Sequence, residues 1–330
     1  MKQIKSFLFK LGVVLILFFT LSVYFIAYLR MRVEERETKT SLEIAPKNGK
    51  FQNVNGHDIY YQSFGDETKP AVLFIHGMGS WSELWRPVAE KIAESGYYTI
   101  AIDLPPFGFS ERQSMANIDS CQNGVRINEF LDSLKINKAN LVAHSFGSSA
   151  ALCAVLLNKE KFNKLIFVDA AVSLDKIETP ISSRLLTSPL YFEYIQKTIL
   201  ASTILNFNLT GYFFKKFVYI KEAITEEKIK IIQLPLQLKA TSSYLGEYLF
   251  RLTADDNSLA ENFIEKKGSL PQNIEFIWGE KDSVTPLSRG EELQKLFPNS
   301  KLSVMRNVGH IPQLENEKEF IEILQKILQY

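Results

Sequence analysis

Three side chains of different types, far apart along the chain, could together carry out acyl transfer: Ser145, Asp282 and His310. A serine hydroxyl is a poor nucleophile at neutral pH. It needs a base to take its proton, a carboxylate to orient that base, and N–H donors for the oxyanion that develops. Ser145 lies in "LVAHSFGSSA", between an apolar run and a helical pattern, where a sharp strand-to-helix turn would expose its hydroxyl. Ala143 and Gly147 keep both sides of that turn small, and the start of a helix favours negative charge. An ordinary helix cap would use the same residues, so the partners carry the argument.

His310, in "NVGHIPQLENEKEF", and Asp282, in "WGEKDSVTP", each follow an apolar run of strand length. Loops at the carboxyl edge of a parallel sheet are where catalytic groups meet ligands. Taken alone, Asp282 reads as a turn or capping residue before Pro286. Glu280 competes with it but adjoins the strand end, and Asp169 in "LIFVDA" offers another placement of the acid, though it reads as structural. In "LFIHGMGSWSELW" two glycines form a tight loop after another strand. The backbone N–H of Met78, with that of Phe146, is the expected oxyanion pair, and Gly77, Met78 and Phe146 are expected to line the substrate pocket. His76 reads as a hydrogen bonder that shapes this loop.

Positioning these groups requires a sheet. "GKFQNVNGHDIYYQSFG" alternates around Asn55-Gly56, a hairpin signal, with His57 at its turn. Apolar runs at 71–75, 97–103, 140–144, 165–170, 274–279 and 301–305 then alternate with helical patterns. Such continuous apolar strands predict a mostly parallel sheet with helices on both faces, an α/β fold. Between Ala171 and about Arg251 the alternation stops and helical spacing takes over, rich in aromatics from Tyr191 and Phe192 to Phe217 and Tyr219. This reads as a helical cap over a pocket. Some of its aromatics, with Lys215 and Lys216, could instead rest on a bilayer.

The N-terminus differs from the rest. Residues 11–29, "LGVVLILFFTLSVYFIAYL", carry no charge and would form a helix roughly 28 Å long, close to the thickness of a bilayer core. The apolar core runs into "YLRMR" without a small-x-small site, which favours a retained anchor over a cleaved signal. Basic residues flank both ends. A first helix with a short basic tail favours a cytoplasmic N-terminus and an extracytoplasmic body.

Composition excludes other classes. With 38 basic and 37 acidic residues there is no basic stripe for nucleic acid. Two cysteines exclude a disulfide framework and a cysteine zinc site, and leave the redox compartment open. The four histidines show no ligand spacing, so no metal or cofactor is expected. Oligomeric state is not legible.

The order Ser145, Asp282, His310, with "HGMG" after an early strand and "DLPPFGFS" after the next, resembles the α/β-hydrolase fold superfamily. The resemblance implies an eight-stranded, mostly parallel sheet with a helical cap over a Ser-His-Asp site. Two departures are Ala143 in place of the first elbow glycine and Pro106 in place of a loop glycine. The expected organisation is a basic tail and transmembrane anchor (1–32), a linker (33–48), a hydrolase core (49–171 and 252–330) and a cap (172–251). The expected activity is cleavage of a lipophilic or small-molecule carboxylic ester by a single-pass membrane protein. A carbon–carbon bond hydrolase with the same triad, and a non-catalytic ligand binder, stand as alternatives.

Overall fold

The computed structural model describes residues 2–112, 119–172, 192–252 and 273–329. Tyr191, the cap's first stretch (173–191) and 253–272 lie outside the described residues.

The sheet has eight strands: β1 (Lys50–Val54), β2 (His57–Phe64), β3 (Ala71–Ile75), β4 (Tyr98–Ile102), β5 (Ala139–His144), β6 (Phe162–Val168), β7 (Ile274–Gly279) and β8 (Lys301–Met305). Their order is β1-β2-β4-β3-β5-β6-β7-β8. β1 and β2 pair antiparallel, as do β2 and β4, and every other pair is parallel. Asn55 and Gly56 both have positive φ (51° and 88°), which closes a two-residue hairpin with the hand that matches strand twist.

Alternating side chains feed two apolar layers. Leu73, Ile75, Leu141, Phe167, Phe276 and Trp278 face α4 (Ser120–Ser133), α5 (Gly147–Leu157) and α10 (Leu287–Leu296). Phe74, Val142, Ile166 and Ile277 face α3 (Arg86–Glu94) and α12 (Glu317–Gln329), through Trp85, Val88, Phe320 and Leu324. From Gly147 to Leu156 α5 is buried all round, which explains why its sequence is apolar on every side.

Cys121 of α4 is disulfide-bonded to Cys153 of α5 across 32 residues. Two cysteines were too few to suggest a framework, and only the packing of α4 on α5 brings them together. Replacing both by serine is expected to cost about 3–4 kcal/mol, from the loop closed in the unfolded chain. Urea denaturation of the variant against the oxidised protein measures it; equal midpoints would mean the bond does not constrain the unfolded chain.

The cap lies between β6 and β7 as α6 (Glu193–Ala201), α7 (Thr210–Phe217), α8 (Glu226–Gln233) and α9 (Thr241–Leu252). Its aromatics are placed differently from the expectation of a pocket roof. Phe192, Tyr194, Tyr212, Phe217 and Tyr219 are exposed, and Phe214 is buried. Burial in the cap falls instead on Leu200, Leu205, Leu236, Leu245 and Tyr248.

The N-terminal helix α1 (Lys2–Glu34) includes one stretch long and apolar enough to cross a membrane, and that stretch is exposed. It runs past the expected end of the apolar span. Val33 is buried among Leu200, Leu205, Leu245 and Tyr248, with Leu29 packed beside it, and Arg30 lies over the Tyr194 ring. The stretch 33–48, expected as a linker, is fastened along the cap. Glu37 accepts hydrogen bonds from Ser242 N (2.7 Å) and Ser242 Oγ (2.9 Å), and Lys39 exchanges backbone bonds with Gln237 and Lys239. After the short helix α2 (Ser41–Ile44), Ile44 and Ala45 pack beside Tyr60, Trp81 and Leu238. Its charged composition concealed this, because backbone groups and three or four apolar side chains make the contacts.

Candidate active site

Strand order locates the site. β4 lies on one side of β3 and β5 on the other, so the order in which strands join the sheet reverses there, and a crevice opens beyond the carboxyl ends of these parallel strands. The loop after β3 carries His76, Gly77 and Met78, and Ser145 follows β5. Asp169 follows β6, Asp282 follows β7 and His310 follows β8.

Ser145 sits at the turn into α5 with φ of 49°, a conformation costly for a residue with a side chain. It is held there by its N–H to Val168 O (2.9 Å) and by its carbonyl, which accepts from Ser148 N (3.0 Å) and Ala171 N (3.1 Å). Gly147 makes the turn sterically possible, since a Cβ there would lie 2.5 Å from His76 O. Ala143 is an ordinary β5 residue paired with Ile75 and Phe167, and no positive φ is asked of it. That is why alanine serves where glycine was the reference.

The structure brings all three candidate residues together. Ser145 Oγ lies 2.9 Å from His310 Nε2, and His310 Nδ1 lies 2.8 Å from Asp282 Oδ2. All three are buried. These partners define the tautomer: Nδ1–H donates to the carboxylate, and Nε2 accepts from the serine hydroxyl. Asp282 Oδ1 also accepts from Val284 N (2.7 Å) and Thr285 N (3.0 Å), and Oδ2 accepts from Thr285 Oγ1 (2.6 Å). Burial pushes the Asp282 carboxyl up, but the hydrogen bond and charge of His310 and the Thr285 hydroxyl outweigh it and hold it below the usual range. Glu280 is exposed and accepts from Asn307 N (3.1 Å), whereas His310 pairs with Asp282.

Two neighbours support the triad, of which Asp169 was weighed in the sequence as structural and His144 was not singled out. Asp169 is fully buried with φ of 42°, and one oxygen accepts from Gly279 N (2.9 Å). Burial and then the Asp282 charge push its carboxyl well above the usual range. Asp169, Asp282 and His310 offer ligand atoms within 4.8 Å of one another, but a cation there would have to take the Asp282–His310 hydrogen bond. His144 Nε2–H donates to His310 O (2.6 Å) from behind. A single histidine next to a serine gives no signal of this in sequence.

Met78 and Phe146 flank the serine from two sides. Among the described residues, neither backbone N–H has a hydrogen-bond acceptor. A Cβ on Gly77 would lie 3.2 Å from Ser145 Cβ, so the Gly77-Met78 backbone runs against the serine. The Phe146 ring packs edge-on to Phe107 and Tyr248, whereas the Met78 side chain is largely exposed. A small cleft adjoins them, between Gly79-Ser80, Pro106 to Gly108 and Leu236 with Leu245; it is lined by neither Gly77, Met78 nor Phe146. Asp103 is structural: its oxygens accept from Ser82 N and Phe109 N, both at 2.7 Å.

His76 shapes its loop, with Nε2 accepting from Leu104 N (2.9 Å) and Nδ1 donating to Gly77 O (2.8 Å). Burial pushes this ring down to about 4, and burial with the nearby His310 pushes His144 down to about 3, from 6.5. Their contribution to stability is therefore complete above pH 6.5 and lost as the pH falls through these values, because the unfolded chain binds more protons there. Asp103, pushed up to about 7 by burial, acts with the opposite sign. Urea midpoints at pH 7.5 and 4.5 are expected to fall further in the parent than in His144→Asn, which lacks one such ring. Equal falls would mean that the His144 ring takes up its proton in the folded protein as readily as in the unfolded chain.

A family model described as "alpha/beta hydrolase fold" matches residues 70–317. An uncharacterized hydrolase of Bacillus subtilis (strain 168), YugF, is 28% identical over 259 residues, covering 78% of this chain and 89% of its own. A 2-hydroxy-6-oxononadienedioate/2-hydroxy-6-oxononatrienedioate hydrolase of Paraburkholderia phymatum is 25% identical over 273 residues, covering 81% of this chain and 89% of its own. Among solved structures, a membrane phospholipase A, a bacterial virulence factor, superposes with a TM-score of 0.59 at 20% identity, covering 97% of both chains.

Proposed function

The chain belongs to the alpha/beta hydrolase fold family, and from that premise we propose that it is a membrane-anchored serine hydrolase cleaving a lipophilic carboxylic ester. One observation carries the reading: the unbroken line of hydrogen bonds from Asp282 through His310 to Ser145. His310 takes the hydroxyl proton as Ser145 Oγ attacks the acyl carbon. The N–H groups of Met78 and Phe146 hold the resulting oxyanion. The intermediate collapses, the alcohol leaves with the proton from His310, and the acyl group stays on Ser145. Water, deprotonated by His310, then attacks the acyl-enzyme, and the acid is released with Ser145 restored.

The lipophilic substrate rests on packing. Phe146 and Phe107 belong to one apolar cluster with Leu29 and Val33 of α1, so the end of the anchor and the residue after the serine are built into the same apolar layer. The phospholipase with the similar fold is itself a membrane protein. An extracytoplasmic body is supported by the Cys121–Cys153 bond, since such bonds persist in oxidising compartments. Carbon–carbon cleavage is the second reading, favoured by the dienedioate hydrolase relative.

The test is hydrolysis of nitrophenyl esters from acetate to palmitate by the full chain in detergent micelles, beside a vinylogous 1,5-diketone and with Ser145→Ala as control. Serine-dependent turnover rising with acyl length is expected. Turnover of the diketone alone would establish the second reading, and turnover of neither would leave a ligand-binding protein.

A further inference from the structure

His310 is held by its backbone as well as by its ring. Its N–H donates to Phe217 O (3.0 Å), in the segment leaving α7 of the cap, and its carbonyl accepts from His144. Beside it, the buried carboxylate of Glu315, on the one-turn helix α11 (Pro312–Glu315), gathers four backbone N–H groups. Gly309 N (3.0 Å) and Ile311 N (3.2 Å) come from the histidine loop, whereas Tyr219 N (2.7 Å) and Ile220 N (2.9 Å) come from the cap. Below them Ile311 and Leu314 share an apolar cluster with Phe214 and Val218 of the cap.

The geometry points to Glu315 as a positioning residue that ties the Phe217–Ile220 segment of the cap to the Gly309–Ile311 loop, so that His310 is set for proton transfer only while the cap is docked. This rests on the hydrolase reading above. A buried carboxylate oxygen holds three N–H groups by charge-assisted bonds, whereas the neutral oxygen of an amide holds them more weakly and its NH2 faces the fourth donor, Ile311 N. Each donor so orphaned costs free energy. One oxygen, Oε2, accepts from Gly309 N of the histidine loop and from Tyr219 N and Ile220 N of the cap, while Oε1 accepts from Ile311 N, so weakening that shared acceptor loosens both segments together. Cap movement and base placement therefore become one event. Proton transfer is sensitive to this, since a displacement of about 1 Å can cost about 100-fold in rate.

The experiment compares the full chain in detergent micelles with Glu315→Gln and Glu315→Asp. Hydrogen exchange read by mass spectrometry is expected to accelerate together, in Glu315→Gln, in the peptides covering 217–220 and 309–311. The low-field proton resonance of the His310–Asp282 hydrogen bond is expected to shift or broaden. Turnover of a nitrophenyl ester, normalised to fluorophosphonate-titrated sites, should lose about 100-fold in kcat with KM within about threefold. Glu315→Asp, which keeps the charge on a shorter arm, should recover part of each, and it carries the test if Glu315→Gln does not fold. Faster exchange in only one of the two segments would overturn the proposal. So would an unmoved resonance with unchanged kcat per titrated site and a lower Tm, since that describes a structural role alone. If the parent shows no Ser145-dependent turnover, it is the hydrolase reading that fails. Exchange and the resonance then still decide whether Glu315 couples the two segments.

Discussion

Ser145→Ala is expected to lower ester turnover by about 10^4-fold or more while leaving the fold intact. The reason lies in what the substitution removes. Alanine keeps the Cβ that already tolerates φ of 49° at this turn, and the backbone bonds to Val168, Ser148 and Ala171 do not involve the hydroxyl. Only Oγ is lost, and with it the acceptor of the acyl group and the donor to His310 Nε2. The N–H groups of Met78 and Phe146 remain, so a residual rate above water is expected from oxyanion stabilisation and binding. Initial rates beside matched urea midpoints measure the effect. Turnover within about tenfold of the parent would remove Ser145 as nucleophile.

Asp282→Asn is expected to cost about 10^4-fold in kcat, through the tautomer of His310. One Asp282 oxygen serves the Val284 and Thr285 N–H groups, and the other serves His310 Nδ1–H and the Thr285 hydroxyl. Asparagine has a single oxygen. If it stays with the two backbone donors, its NH2 faces Nδ1 and favours the imidazole protonated at Nε2. That nitrogen then cannot accept the serine proton. Steady-state kinetics with active-site titration tests this. A loss below about tenfold would show that Asp282 does not set the tautomer.

Much of the sheet was legible because its strands are short apolar runs punctuated by turn residues. The runs at 71–75 and 274–279 coincide with β3 and β7, and Asn55-Gly56 closes the hairpin. Ser145, His310 and Asp282 were legible for a related reason: each lies just past such a run, and a parallel sheet gathers those ends on one edge. The roles of His144 and Glu315 were not, nor was the contact of Asp169 with Gly279, because their partners come from other strand ends or from the cap. The cap aromatics gave a misleading signal. Helical spacing identifies helices, but not which face a short helix turns inward when two other bodies compete for it.

The sequence by itself determined the α/β class, the eight strands' alternation with helices, the apolar N-terminal span and the types of group available for acyl transfer, because these follow from local periodicity and residue chemistry. Only the tertiary structure decided that His310 meets both Ser145 and Asp282, that Cys121 reaches Cys153, that Val33 and Glu37 fasten the N-terminal helix to the cap, and that Glu315 joins the cap to the histidine loop. The residues so joined are 28 apart in the Asp282–His310 bond, 32 in the disulfide and 96 in the Glu315–Tyr219 bond. Strand order and helix packing create that proximity, and no local pattern records it.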